Sequence, residues 1–354
     1  YPGGSVVKDA TSKERGLVPA AIDRLFLTHD VITSSDVARE AGVTRQSAHA
    51  HLAHLSNVGE LIHEGARRSS RYRRRSARAQ TYALEGLRED EVWGAEKAAL
   101  RAIDPEGFDN ANVVRIMNFA FTEMVNNAID HSRGSQVRVR WYLDAQRVSF
   151  EVEDDGVGAF TTIREQHALA NDLEALAELS KGKQTTDPDR HSGLGIFFTS
   201  RMVDRFTLSA SQLLWTVDQG RNDVAYGWLS EARVGTLVRV EVRRDTTVTP
   251  NQVFAARSNP TTSRLDTTTI HVGLFRTRGG DFISRTEAKR VGSSLEGFDV
   301  VELDFTDVHE IGQGFADELF RVWARDNPST RLIPINANPA ILAMIARVDV
   351  PRSP

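Results

Sequence analysis

The stretch Phe121-Thr122-Glu123-Met124-Val125-Asn126-Asn127-Ala128-Ile129-Asp130-His131-Ser132 decides the reading of this chain. It sets Glu123, Asn127 and His131 four residues apart, a spacing that stacks side chains on one face of a helix. Val114, Ile116, Met117, Phe119, Ala120, Met124, Ala128 and Ile129 supply an apolar face, so a helix is predicted over 113–130. A carboxylate that orients water, beside an oxygen ligand suited to a hard cation, is what phosphate chemistry requires. Taken alone, an amphipathic helix with a solvated polar face gives the same pattern.

Working outward, two alternating strands are predicted at 136–143 and 147–152. The second runs into Asp154-Asp155-Gly156-Val157-Gly158, whose glycines let backbone approach a ligand closely. Residues 160–190 form a polar, irregular stretch around a helix-like piece at 169–179. His191-Ser192-Gly193-Leu194-Gly195 then opens a helix over 196–203, and a glycine-led helix start is an anion site. Further strands are expected at 205–212, 223–230 and 235–243, the last led by Gly235-Thr236. No G-x4-G-K-[ST] phosphate loop occurs.

In order and spacing these segments resemble the N, G1 and G2 boxes of the GHKL (Bergerat-fold) ATPases, which include histidine kinases, gyrase and anti-sigma-factor kinases. The resemblance implies ATP and Mg2+ as cofactors. Asn127 is the expected Mg2+ ligand, and Glu123 the catalytic residue that orients or deprotonates the nucleophile. His131 fits the E-x3-N-x3-H form of the box and is expected at phosphate or lid. Asp154 would accept a hydrogen bond from the adenine amino group, with Gly156 and Gly158 beside it. Gly193 and Gly195 would offer backbone to the phosphates, and Thr236 would support adenine. The 160–190 stretch would be the ATP lid, with Lys181 and Lys183 as phosphate contacts or, equally, as solvated cations.

Before this core, residues 17–63 are predicted to form a helix-turn-helix. Ser34 or Ser35 is expected to cap the second helix, Gly42 to supply the turn and Thr44 to cap a third helix over 45–57. Strands at 60–63 and 71–73 follow. This segment resembles winged-helix transcription regulators. Arg45, Gln46, Ser47 and His49 lie early on the third helix, where base edges would be read. Arg67, Arg68, Arg71 and Arg73 belong to an arginine-rich wing that can meet phosphates. Residues 1–80 carry 13 Lys+Arg against 8 Asp+Glu within a chain of net charge −4, which points to a polyanionic partner. Protein docking and a merely solvated arginine run are the bland alternatives.

Residues 244–264 read as a linker with room for one short helix. Beyond them, strands at 267–275, 299–305 and 331–336 alternate with helices at 284–296, 313–325 and from Pro339. The phrase VVELDFTDVHEIGQGFADELF resembles STAS-like domains, the fold of anti-sigma-factor antagonists. Where those antagonists carry a phosphoacceptor serine, this chain has Ile311-Gly312-Gln313-Gly314, with no hydroxyl.

The chain is thus expected to be a multi-domain α+β protein. A winged helix-turn-helix spans 1–80, a GHKL/Bergerat ATP-binding α/β sandwich 81–245, a linker 246–265 and a small STAS-like α/β domain 266–354. The absence of cysteine excludes disulfides and thiolate metal sites. No apolar run approaches the ~18 residues of a membrane helix, so a cytoplasmic protein without membrane contact is expected. The expected function is that of an ATP-binding, ATP-hydrolysing DNA-binding regulator whose nucleotide state controls the winged helix. The alternative is an anti-sigma-type serine/threonine protein kinase acting on a partner in trans. Expected partners are double-stranded DNA, a protein bound through the STAS-like domain, and a second copy in a homodimer.

Overall fold

The computed structural model describes residues 12–29, 31–58, 60–66, 69–182, 194–257, 266–275, 284–293, 295 and 298–348. The chain divides into two compact units. One takes residues 1–79 with 140–144; the other takes 80–139 with 145–354.

The first unit begins with helices α1 (Ser12–Thr28), α2 (Ser34–Ala41) and α3 (Arg45–Asn57). An antiparallel pair follows, β1 (Leu61–Glu64) and β2 (Arg71–Arg74). The cap of α2 differs from the expected Ser34 or Ser35. Thr33 takes that position, accepting the Asp36 N–H at 3.3 Å while Asp36 Oδ2 accepts the Thr33 N–H at 2.9 Å. This reciprocal capping box satisfies two otherwise orphan donors, which a serine already inside the first turn would not do. Gly42, at φ +66°, ends α2 in the left-handed region, and Thr44 caps α3 as expected. Val18, Ile22, Phe26, Ile32, Val37, Leu52, Leu61 and Tyr72 form the core.

The second unit holds two α/β layers. β3 (Arg78–Ala83) precedes the helix α4 (Glu89–Ile103). β3 is the first strand of a five-stranded sheet of order β3-β4-β5-β7-β6. Largely exposed along its length, it carries none of the alternation that identifies a half-buried strand. After a short 3-10 turn at Glu106–Phe108 comes α5 (Ala111–His131). Ile116, Met117, Ala120, Phe121, Met124 and Ala128 of α5 are buried, with Phe121 edge-on to Phe150 of the sheet.

β4 (Gln136–Leu143) and β5 (Arg147–Asp154) follow, then α6 (Ala159–Gln166), α7 (Asp172–Lys181) and α8 (Leu194–Met202). α6 stands where an irregular stretch was expected, with Phe160 and Thr162 as its buried positions. β6 (Arg205–Asp218) and β7 (Asp223–Arg243) pair as one long antiparallel hairpin. The two expected strands at 223–230 and 235–243 are therefore one strand. Gly235, at φ +70°, turns its backbone without ending it, beside a register shift at Ala210/Ser211. The expected linker contains α9 (Pro250–Ala255), whose Phe254 meets Phe119 and Phe198 edge-on.

The carboxy-terminal layer is a parallel sheet of order β10-β9-β8, formed by β8 (Thr267–His271), β9 (Val300–Asp304) and β10 (Arg331–Ile335). Around it lie α10 (Arg285–Gly292), α11 (Gln313–Ala316) continuing through a π-helical turn at Asp317–Trp323 into α12 (Ala324–Asp326), and α13 (Pro339–Val348). Ile270, Val291, Val301, Leu303, Phe315, Leu319 and Ile341 fill the space between. Among the described residues no helix is long and apolar enough to cross a membrane.

Candidate functional site

The loop after β5 is fastened to the end of α5, and this joins two segments distant in sequence. The Ser132 carbonyl accepts the Val157 N–H at 2.8 Å. A Cβ on Gly156 would run into that same carbonyl, so only glycine lets the loop lie so close. Thr162 of α6 donates its hydroxyl to the His131 carbonyl at 3.2 Å. Asp155 pins the other side, its carboxylate accepting from Ser135 N at 2.7 Å, Gln136 N at 3.0 Å and Ser135 Oγ at 2.6 Å. Those bonds hold the Asp155 carboxyl below its usual range.

The adjacent Asp154 behaves differently. It is 7% exposed, and burial pushes its carboxyl above the ordinary value, partly offset by hydrogen bonds. Its Oδ1 accepts the Gly156 N–H at 2.9 Å and the Thr236 N–H at 3.2 Å. The Thr236 hydroxyl in turn accepts the Ala159 N–H at 2.9 Å. Gly235 makes this closure possible, since a Cβ there would strike the Asp154 carbonyl. Gly158, at φ +89°, lies against Gly235 and opens α6. Asp154, Gly156, Gly158 and Thr236, read from two segments some eighty residues apart, thus form one cluster.

The α5 stripe makes the second part. Glu123, Asn127 and His131 all fall within α5 and are partly buried. A Cβ on Gly195 would collide with the Glu123 carboxylate, so that carboxylate lies against the first turn of α8. Among the described residues, Asn127 Nδ2 is buried with no hydrogen-bond partner. An orphan amide in a polar stripe is where a ligand group belongs, and a turn about χ2 presents Oδ1 in the same direction. Among the described residues no three His, Asp or Glu side chains gather into a metal cage. A cation held by Asn127 would therefore draw its other oxygens from phosphate and water, as Mg2+ does. The residues present fit a nucleotide with its cation.

Lys181 is placed otherwise than at phosphates. It is 1% exposed, with Nζ 3.1 Å from Glu178 Oε2 and 2.6 Å from the Ser293 carbonyl. Lys183 and Gly193 lie outside the described residues. Sequence reasoning named Asp154 and Thr236 but gave no role to Gly235, Ser132 or Asp155, which hold them. The consecutive aspartates and the Ser-Arg-Gly-Ser turn after α5 were the available signal.

On α3, Arg45 and Gln46 are exposed, and Ser47 is half-buried with its N–H on the Thr44 cap at 3.1 Å. His49 is exposed, its Nδ1 3.2 Å from the Tyr72 hydroxyl. Arg71 is exposed, Arg73 pairs with Glu64, and Arg74 pairs with Asp23 at 2.8 Å. Arg67 and Arg68 lie outside the described residues.

Residues 74–217 match the family model described as histidine kinase-like ATPase domain. Gly235 and Thr236 lie beyond that match. Residues 287–342 match the model described as STAS-like domain of unknown function (DUF4325). No curated protein matches the chain. On its fold, its assembled loops and these matches, the chain contains a histidine kinase-like ATPase domain followed by a C-terminal STAS-like domain.

Proposed function

We propose that this protein is an ATP-binding regulator whose nucleotide state controls DNA binding by its amino-terminal unit. One observation carries the nucleotide half. A buried, hydrogen-bonded carboxylate, Asp154, ends β5 where a glycine-lined loop is fastened to the helix that carries Glu123 and Asn127. Asp154 would accept the exocyclic amino group of adenine, with Thr236 holding the carboxylate in place. Asn127 would ligate Mg2+, which neutralises phosphate charge when bound. Glu123 would orient the attacking water, and His131 would lie toward the phosphates.

Support for the DNA half comes from the basic balance of residues 1–80 and from exposed Arg45, Gln46, His49 and Arg71. Arg67 and Arg68 are included in this proposal on sequence alone. The test is binding of genomic fragments with and without Mg-ATP, using the wild type and Asn127→Ala. Nucleotide-dependent affinity in the wild type, lost in Asn127→Ala, is the expected result. Fragments that bind no better than bulk DNA in any nucleotide state would remove the DNA half.

A second reading, a protein kinase acting on a partner in trans, rests on the E-x3-N-x3-H pattern and the STAS-like match, and gains weight from the pairing of the wing arginines. Glu64 and Asp23 neutralise Arg73 and Arg74, which lowers the positive potential available for DNA. Labelled ATP and a partner fraction should then yield acid-stable phosphoprotein, and its absence with nucleotide bound would eliminate that reading.

A further inference from the structure

The end of α7 is held from two sides. A helix leaves its last carbonyls without partners of its own, and they must be met by something else. Here the Ser180 carbonyl accepts Arg201 Nη2 of α8 at 3.5 Å, and the Lys181 carbonyl accepts the Thr268 hydroxyl of β8 at 2.5 Å. One group comes from the ATPase domain and the other from the STAS-like layer. The Lys181 ammonium adds to the second side. It donates to the Ser293 carbonyl and to Ser293 Oγ at 3.1 Å, and lies 5.3 Å from the centre of the Phe275 ring. About two turns earlier, Glu174 pairs with Arg290 at 3.1 Å.

This contact is polar, buried and incompletely paired. Among the described residues, Glu178 Oε1 and Arg290 Nε are both buried with no hydrogen-bond partner. Charged groups taken from water and only partly satisfied add little adhesion, yet they define one arrangement sharply. Such a contact suits a position that is set and released more than one that is simply glued.

The same helix end packs on α8. Gly182, at φ +69°, passes so close to Phe197 of α8 that a Cβ would enter its ring. Arg201 lies 3.5 Å over that ring. α8 is also the helix whose Gly195 lies against Glu123. A continuous packed path therefore runs from Thr268 and Ser293, through Lys181 and Gly182, to Phe197, Gly195 and Glu123.

We propose that the STAS-like domain regulates the nucleotide site from within the chain, by holding the end of α7 and thereby fixing α8 against Glu123. This rests on the nucleotide reading above. Lys181 is then a positioning residue. Coupling of this kind is reciprocal, so nucleotide must tighten the same contact it depends on.

Two variants test it, with MgADP as the probe. Lys181→Met keeps the aliphatic stem and removes the charge; Thr268→Val keeps the shape and removes the hydroxyl. Calorimetry should give a MgADP dissociation constant raised about fivefold in Lys181→Met and about two- to threefold in Thr268→Val. Amide exchange at 267–271 should slow when MgADP binds the wild type, and should not respond in Lys181→Met. If Lys181→Met fails to fold, Thr268→Val decides alone, by its affinity and its exchange response. Wild-type affinity in the folded variants, with no exchange response at 267–271, would overturn the coupling and leave the nucleotide reading intact. No MgADP binding by the wild type would overturn both.

Discussion

The two ends of the candidate pocket are built on different principles. Around Asp154 every donor is backbone or a short hydroxyl, and three glycines allow the strands to close on it. That end is rigid before any ligand arrives. Around Asn127 the groups are side chains on one helix, with an orphan amide and a carboxylate against a helix start. That end is completed only by what binds there. On the proposed nucleotide reading, preorganisation is concentrated where specificity would be read, while charge neutralisation would be left to the ligand and its cation.

Gly235→Ala should break the rigid end outright. The left-handed backbone alone costs about 1–3 kcal/mol for a non-glycine residue, and the Cβ would also strike the Asp154 carbonyl. Thermal unfolding should show a clearly lowered midpoint, and nucleotide binding should be lost. Asp154→Asn keeps an oxygen for the Gly156 and Thr236 N–H groups but removes the charge. MgADP affinity should fall roughly tenfold to a hundredfold, with folding retained by circular dichroism. Asn127→Ala addresses the open end. Its MgADP affinity should drop about tenfold, to the value the wild type has in EDTA, because the cation loses its protein ligand.

Acidity gives a further separation. Burial raises the Asp154 carboxyl above its ordinary 3.8, so the folded free protein holds a proton that the unfolded chain has already released. Stability of the free protein should therefore decline as pH rises from 3.8 through the raised value, a slope that Asp154→Asn removes. A ligand N–H prefers the carboxylate, so affinity should weaken as pH falls through the same window. Asp155 supplies the contrast. Asp155→Ala loses exposed hydrogen bonds to Ser135 and Gln136 and should cost about 1–2 kcal/mol, with MgADP affinity lowered less than in Asp154→Asn.

Much of this was legible in sequence because it is local. The spacing of Glu123, Asn127 and His131 fixes them to one helix face whatever surrounds it, and the β5 alternation delivers Asp154 to the end of a strand. What escaped is non-local. Lys181 reads as an exposed cation because its partners, Ser293 and Thr268, lie about a hundred residues away. Arg78–Ala83 lacks alternation because an edge strand borrows its order from its neighbour. α6 escaped because two buried positions in eight residues give too short a pattern. Gly235 was visible, but its necessity follows only from the close passage of β5.

The most direct test of the central claim compares two nucleotides that differ at the 6-position and adjoining N1 edge of the purine. Adenosine diphosphate carries an amino donor there; inosine diphosphate carries a carbonyl acceptor. With Mg2+ present, the wild type should bind the adenine nucleotide at least about tenfold more tightly, and Asp154→Asn should largely erase that preference. Equal affinity for the two in the wild type, or no binding of either, would contradict a purine site built on Asp154.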